Sequence, residues 1–250
     1  MPELEIEGRP ISWVRDGTIT WVAPLRDGIP TLANGGRCRP TVTPLRSSIR
    51  GRPLFILAHG AGAPYTSPFM ATAASGLVQR GLCVVRFHFP YMEAAQRSGT
   101  KKPPDPAKRL LATWRAVIDR ALALRGHGPL SIGGKSMGGR MASMLVAEGR
   151  APEVRAAVYL GYPLHPPKKP EKLRADHLPK VLVPQLFVSG EKDALCDPTK
   201  LRAVLETIPS ARHLEIAGAD HSLARSRKDP LAGADEWLDA VAAFVKDVTG

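Results

Sequence analysis

The stretch GGKSMGGR, residues 133–140, fits two motifs that belong to different kinds of α/β protein. Its Gly134-Lys135-Ser136 matches the end of a phosphate-binding loop, G-x-x-x-x-G-K-[ST]. The five residues from Gly134 to Gly138 also match G-x-S-x-G, in which a serine stands on a sharp turn between a strand and a helix. The two motifs imply different chemistry, so the rest of the sequence has to choose between them.

The phosphate-loop motif is incomplete. Its first glycine would fall at position 129, which is Pro129, and Gly128 is one residue out of place. That glycine is needed because the backbone must curl until its N–H groups face the phosphates. The next apolar run, residues 154–160, leads into Gly-Tyr-Pro and not into a magnesium-binding aspartate. These departures disfavour a nucleotide site.

The serine-turn motif stands in the context that it requires. LSIG precedes it as a predicted strand, and a predicted helix over 139–147 follows it. Small residues two positions before and after the serine, here Gly134 and Gly138, avoid clashes with the neighbouring strand and helix. The stretch therefore predicts a nucleophile elbow with Ser136 as the nucleophile.

Short apolar runs alternate with amphipathic segments from residue 54 onward, which predicts a mostly parallel sheet with helices on both faces. The predicted strands are 54–58, 82–87, 130–133, 154–160, 185–189 and 213–216. The predicted helices are 67–80, 105–126, 139–147, 197–208 and 234–248. Residues 12–22 predict a hairpin around Asp16-Gly17, and residues 31–53 an Arg-rich loop. We therefore divide the chain into an N-terminal hairpin and loop, 1–53, which is part of or appended to an α/β domain over 54–250.

Composition limits the classes of protein. The chain has 250 residues, 44% of them hydrophobic, which suffices for one large core. It has no apolar run long enough for a membrane span, and MPELEIEGRP lacks the apolar centre of a signal peptide. The three cysteines are widely spaced and match no zinc pattern. These features predict a cytoplasmic protein without a metal site.

The net charge is +12 and is concentrated in clusters. Three basic clusters follow predicted strands, at residues 97–109, 165–180 and 225–228. Since the carboxyl ends of parallel strands lie at one edge of a sheet, these clusters should surround a site there. They suggest an anionic substrate or an acidic partner surface, against the simpler interpretation of solvated lysines. Aromatic and basic residues are not interleaved, which disfavours nucleic-acid binding.

A serine nucleophile of this type needs an acid and then a histidine later in the chain. Asp193 follows the predicted strand 185–189 and is the preferred acid. Asp197 precedes Pro198 and suits a helix cap better, and Glu191 is a weaker rival. His221 follows the last predicted strand and is the preferred base, whereas His213 begins that strand and suits a structural role.

The transition state needs two N–H donors for a developing oxyanion. One is expected from Met137, directly after the nucleophile, and the other from Ala61 in the open stretch HGAGAP. His59 is expected to orient that stretch. Four further side chains near predicted strand ends are candidate substrate contacts: Tyr91, Lys135, Tyr162 and His165.

Several long motifs resemble one family of α/β hydrolases. They are HGAGAPYTSPFM (59–70), RFHFPYME (86–93), GGKSMGGRMAS (133–143), GYPLHPPKKPEKLRADHL (161–178) and GADHSL (218–223). The family includes bacterial proteins of dienelactone-hydrolase-like character and a subunit of the nonspecific-lethal chromatin complex of animals. The resemblance spans about residues 54–250 and implies an α/β-hydrolase fold with a triad at Ser136, Asp193 and His221.

Motifs and resemblance together predict a serine hydrolase of esters or thioesters that works through an acyl-enzyme, without a metal or organic cofactor. The short, proline-rich segment 161–180 predicts a minimal cap over an open site. The alternative is a non-catalytic interaction protein that keeps this fold and binds an acidic partner.

Overall fold

The structure, a computed structural model, describes residues 11–13, 19–22, 52–125 and 129–249. Eight strands are present in these ranges: β1 Ile11–Trp13, β2 Ile19–Val22, β3 Leu54–Ala58, β4 Cys83–Phe87, β5 Leu130–Lys135, β6 Val154–Leu160, β7 Gln185–Gly190 and β8 Ala211–Ile216. The α-helices there are α1 Pro68–Gln79, α2 Pro90–Ser98, α3 Ala107–Arg125, α4 Met137–Ala147, α5 Pro198–Leu205 and α6 Ala234–Thr249. A 3₁₀ turn covers Leu178–Lys180.

The strands form one sheet in the order β1-β2-β4-β3-β5-β6-β7-β8. β3 to β8 are parallel to one another, while β1 and β2 pair antiparallel and β2 runs antiparallel to β4. The predicted mostly parallel sheet is thus confirmed. The strands of the predicted hairpin pair with Ile11 opposite Trp21, and the turn at Asp16-Gly17 lies outside the described residues. So does the Arg-rich segment as far as residue 51, and the division at residue 53 stays a prediction.

Strand β3 shows how the two faces of the sheet are covered. Leu54 and Ile56 pack into a cluster with residues of α3 and α4, whereas Phe55 and Leu57 pack into a cluster with residues of α1 and α6. All of these β3 side chains are fully buried. A strand that is buried on both faces is apolar at every position, which explains its continuous run LFILA.

Two helices differ from the sequence-based expectation. α2 was not predicted, because only two of its nine residues, Tyr91 and Met92, are buried and its apolar periodicity is therefore weak. α5 ends at Leu205 and not at Ile208. The residue before a proline disfavours helical backbone, and Ile208 precedes Pro209.

The carboxyl ends of β3 to β8 bring three connections together at one edge of the sheet. These are the β3 loop (residues 59–67), the turn from β5 into α4, and the cap loop (residues 161–184) between β6 and β7. The segments that follow β7 and β8 reach the same edge. Among the described residues, no helix is both long and apolar enough to cross a membrane.

Candidate active site

Ser136 stands on the turn between β5 and α4 in a strained backbone conformation, with φ 51° and ψ −117°. Non-glycine residues rarely adopt positive φ, and such residues cluster at functional sites. The flanking glycines make the turn possible. A Cβ at Gly138 would lie 2.6 Å from the carbonyl oxygen of His59, and a Cβ at Gly134 would meet that of Ala58. The turn therefore holds the serine close to the end of β3.

Ser136, His221 and Asp193 form a continuous chain of hydrogen bonds. The Ser136 Oγ lies 2.9 Å from His221 Nε2, and His221 Nδ1 lies 2.8 Å from Asp193 Oδ2. The Asp193 side chain is inaccessible to solvent, while the His221 side chain is 25% exposed. In this arrangement the imidazole can accept the serine proton at Nε2 while Nδ1–H donates to the carboxylate.

Asp193 is held by the turn that follows β7. The Leu195 backbone N–H donates to Asp193 Oδ1 over 2.8 Å, in addition to the contact from His221. Asp220, the neighbour of His221, accepts from the backbone N–H groups of Ser222 and Ala224. Both loops are therefore shaped by side chain to backbone hydrogen bonds, which fix the two partners of the serine.

The rival candidates from the sequence have other partners. The Asp197 carboxylate caps α5 by accepting from the Lys200 backbone N–H. Glu191 accepts from the Gly218 N–H over 2.7 Å. His213 Nε2 lies 2.8 Å from Ser189 Oγ. Each rival thus has a local structural contact that accounts for it.

The β3 loop lies against the serine. A Cβ at Gly60 would lie 3.5 Å from Ser136 Cβ, so this backbone passes within reach of a substrate bound at Ser136. Among the described residues, the backbone N–H groups of Ala61 and Met137 have no hydrogen-bond acceptor. Met137 begins α4, and the first N–H groups of a helix have no partner within it. Both N–H groups are available to a ligand.

Two buried side chains hold the β3 loop. Burial lowers the pKa of His59 to about 4, so the ring is neutral. Its Nδ1–H donates to the Gly60 carbonyl over 2.7 Å, and its Nε2 accepts from the Phe89 N–H over 3.1 Å. The Tyr91 hydroxyl donates to the carbonyls of Gly60 and Ala61 at 3.3 and 3.1 Å. Tyr91 is 4% exposed, and the structure thus gives it a contact that orients the loop.

Lys135 connects the nucleophile turn to the histidine loop. Its ammonium group donates to the backbone carbonyl of His221 and lies 5.7 Å from the centre of the Phe69 ring. Burial lowers the pKa of this amino group from 10.5 to about 8, although the charges of Asp193 and Asp220 act in the opposite direction. The side chain is thereby placed to fix the backbone of His221.

The other two candidate substrate contacts are buried in the cap loop. Tyr162 is 1% exposed, and its hydroxyl donates to the Arg174 carbonyl over 2.8 Å. His165 is 5% exposed, and its Nδ1 lies 3.0 Å from the Pro166 carbonyl. Contact of these residues with a substrate stays a prediction, and the observed hydrogen bonds stabilise the loop.

A polar group beside α4 was missed from the sequence. Arg140 and Ser143 of the helix meet Tyr162, Arg174 and His177 of the cap loop. Only the position of Arg140, four residues after Ser136, could have drawn attention to it. Three exposed lysines of the cap loop, Lys168, Lys169 and Lys172, shortly precede Arg174 in the sequence.

Within the described ranges, no cluster of three His, Cys, Asp or Glu residues could hold a metal ion.

Comparison with known proteins places this geometry in context. The family model for the alpha/beta hydrolase domain matches residues 51–249. That range contains the β3 loop, the nucleophile turn and the loops that carry Asp193 and His221.

Solved structures share the fold at low sequence identity. A dienelactone hydrolase from Anabaena variabilis has a TM-score of 0.63 and 20% identity, over 96% of this chain and 97% of that chain. Est1E from Butyrivibrio proteoclasticus, solved with ferulic acid, has a TM-score of 0.57 and 19% identity, over 78% and 87%. A serine hydrolase homologue from Coxiella burnetii has a TM-score of 0.62 and 14% identity, over 96% and 97%. These likenesses confirm the predicted fold class.

Proposed function

The chain belongs to the alpha/beta hydrolase domain family, and on that premise we propose that it is a serine hydrolase that cleaves carboxylic esters or thioesters. The observation that carries the proposal is the hydrogen-bonded chain from Ser136 through His221 to Asp193, with contacts of 2.9 and 2.8 Å. Related folds include a dienelactone hydrolase and an enzyme solved with ferulic acid, which supports chemistry at an ester carbonyl.

In the first half of the proposed reaction, Ser136 Oγ attacks the substrate carbonyl carbon while His221 Nε2 takes the serine proton. The buried Asp193 carboxylate holds the imidazole in the required tautomer and stabilises its positive form. The tetrahedral intermediate collapses when the bond to the leaving group breaks, and His221 gives that group its proton. The product of this half is an acyl group esterified to Ser136.

The backbone N–H groups of Ala61 and Met137 stabilise the oxyanion in this proposal. Both lack an acceptor within the described residues, and Gly60 brings the first of them beside Ser136. Donors that are fixed before the reaction need no reorganisation when charge develops on the carbonyl oxygen. His59 and Tyr91 supply that rigidity by donating to the Gly60 and Ala61 carbonyls of the loop.

In the second half, a water molecule replaces the leaving group. His221 takes a proton from the water, the hydroxyl attacks the acyl carbon, and the ester bond to Ser136 breaks. Ser136 recovers its proton from His221, and the carboxylic acid is released. The cap loop carries prolines at Pro163, Pro166, Pro167, Pro170 and Pro179, which stiffen it, and in this proposal it forms a small covering over an open site.

The basic clusters support a preference for anionic substrates. Lys168, Lys169 and Lys172 are exposed in the cap loop, and Arg225, Arg227 and Lys228 are exposed after β8. Positive charge around a cleft raises the local concentration of anions, and this effect weakens as the ionic strength rises.

We also propose a cytoplasmic location, because the widely spaced cysteines suit a reducing compartment.

Labelling with a fluorophosphonate probe tests the proposal, because the probe reacts with an activated serine. We expect the wild type to be labelled, and Ser136→Ala and His221→Ala to lose labelling while remaining folded by circular dichroism. Ser189→Ala is the matched control, since Ser189 also lies 2.8 Å from a histidine, His213, but has no nucleophile turn.

The control variant should be labelled like the wild type. Labelling that persists in Ser136→Ala would contradict the assigned nucleophile. A folded wild type that is not labelled would overturn the proposal and favour a protein that binds an acidic partner through its basic clusters.

A further inference from the structure

Two arginines, one on α4 and one in the cap loop, lack an acidic partner among the described residues. Arg140 lies on α4 and Arg174 in the cap loop, and both are partly buried. Among the described residues, neither guanidinium group forms a salt bridge, and the buried Arg140 Nε has no hydrogen-bond acceptor. Elsewhere, Arg80 contacts two carboxylates and Arg115 another two. The unpaired state of Arg140 and Arg174 therefore needs an explanation.

The positive charges of Arg140 and Arg174 act against each other. The pKa of Arg174 is lowered from its usual value by burial and by the charge of Arg140. Burying like charges together without an anion is costly. Of the nearby acids, Asp176 is exposed and Glu148 contacts Arg150 at 3.2 Å. Neither lies within salt-bridge distance of the two arginines, so the repulsion is not relieved within the described chain.

The neutral groups around the arginines are already engaged. The Ser143 hydroxyl donates to the Arg140 carbonyl over 2.7 Å, and the Tyr162 hydroxyl donates to the Arg174 carbonyl over 2.8 Å. His177 Nε2 lies 2.8 Å from Ser143 Oγ, and burial and Arg140 lower the pKa of His177 to about 4. These contacts fix the positions of Ser143, Tyr162 and His177. The guanidinium N–H groups of Arg140 and Arg174 are left as donors without an acceptor in the described residues.

The arginine pair lies close to the proposed reaction centre. Arg140 donates its backbone N–H to the Ser136 carbonyl, one helical turn or about 6 Å along the axis of α4. Side chains on a helix lean towards its N-terminus, which for α4 is the end at Ser136. On the other side, Tyr162 follows Gly161, where an added Cβ would lie 3.6 Å from the imidazole carbon of His221. Arg140 thus lies on the helix that follows Ser136, and the cap loop that carries Arg174 begins beside His221.

We propose that Arg140 and Arg174 form a subsite for a carboxylate on the acyl part of the substrate. The proposal rests on the proposed function and names its substrate class as half-esters, or the corresponding thioesters, of short dicarboxylic acids. Guanidinium groups match the two oxygens of a carboxylate, and a bound anion satisfies their donors and removes their repulsion. The acyl part stays attached to Ser136 through both half-reactions, so a subsite on the serine's own helix holds it throughout.

A matched pair of substrates tests the subsite: 4-nitrophenyl hydrogen glutarate, which carries a free carboxylate, and its methyl ester, which is neutral. We expect the wild type to hydrolyse the carboxylate substrate with the higher kcat/KM. In Arg140→Gln and Arg174→Gln, kcat/KM for this substrate should fall about 10- to 100-fold, since hydrogen bonds to a charged group are lost. Hydrolysis of the methyl ester should change less than about twofold.

Lys172→Gln is the control for general charge, because Lys172 is exposed in the same cap loop, two residues from Arg174. Its removal should lower kcat/KM for the carboxylate substrate less than about fivefold, as for other exposed charges. Inorganic phosphate, added as a competitor, tests whether the same groups bind a phosphate. Competitive inhibition that is strong in the wild type and lost in Arg140→Gln would reassign the subsite to phosphate-bearing substrates and overturn the carboxylate proposal.

The outcomes separate the subsite from the proposed function. If the wild type hydrolyses neither substrate and its serine is not labelled, the proposed function fails and the subsite fails with it. If both substrates are hydrolysed and the arginine variants affect them equally, or no more than Lys172→Gln does, only the subsite is refuted. Arg140→Lys keeps the charge without the paired N–H groups, and a partial recovery is expected from it.

Discussion

The buried amino group of Lys135 makes the stability of this protein depend on pH in an unusual direction. Its pKa is about 8 in the folded chain, against 10.5 when it is exposed to water. Between these values the unfolded chain holds the proton and the folded chain has released it. Since stability rises with pH wherever the unfolded state binds more protons, the free energy of unfolding should increase from pH 8 to pH 10.5.

The difference of 2.5 between the two pKa values corresponds to about 3 kcal/mol, at 1.36 kcal/mol for each unit. At pH 7 both states carry the charge, and the full cost of burying it is present. Lys135→Met keeps the length of the apolar stem and removes the titrating group. The wild type should therefore gain about 3 kcal/mol relative to this variant as the pH rises from 7.5 to 10.5.

Urea unfolding of both proteins at several pH values measures this difference. Other groups that titrate near pH 10 cancel because they are common to both proteins. Lys246→Met is the control, since Lys246 is exposed on α6, and its difference from the wild type should stay constant. The reasoning would be refuted if the difference in free energy of unfolding between the wild type and Lys135→Met stayed constant with pH. It would also be refuted if the wild type lost stability relative to the variant as the pH rose.

The Lys135→Met variant should also lose at least about 10-fold in kcat, because residue 135 no longer holds the His221 carbonyl.

Two further substitutions test the backbone around the nucleophile. Gly138→Ala should destabilise the protein by about 1–3 kcal/mol, because the new Cβ would lie 2.6 Å from the His59 carbonyl oxygen, whereas Gly62→Ala, with no atom within 4 Å, should not. Thermal unfolding measures both, and equal melting temperatures would contradict the packing argument. Tyr91→Phe should lower kcat about 10-fold and leave KM nearly unchanged, because its hydroxyl positions the β3 loop. Steady-state kinetics decides this, and a raised KM with unchanged kcat would instead identify Tyr91 as a substrate contact.

Sequence reasoning selected the residues of the candidate site because each follows from a local signal. Ser136 is marked by small residues on both sides and by the strand before it. Asp193 and His221 follow apolar runs, and the parallel arrangement carries the ends of those runs to one edge of the sheet. Chain order then selects among the acids, and the observed hydrogen bonds join the selected groups.

The parts that sequence reasoning missed depend on contacts between irregular segments. Arg140 and Arg174 meet because the cap loop folds against α4, and no periodicity predicts where an irregular loop packs. Arg86 is a second example, since it lies in an apolar strand and is 6% exposed. Its guanidinium group donates to the Tyr65 carbonyl over 2.7 Å and lies 5.5 Å from the centre of that ring. The sequence does not show that Tyr65 of the β3 loop is the partner of Arg86, because the two residues come together only in the folded chain.

The contact between Ser136 and His221 joins residues that are 85 positions apart. At a synthesis rate of about 5–20 residues per second, Ser136 is added to the growing chain roughly 4–17 s before His221. β7, Asp193 and β8 are synthesised within that interval, and the serine has no base until its end. In the proposed function, the nascent chain is therefore unreactive towards esters until His221 has been made and the far edge of the sheet has docked.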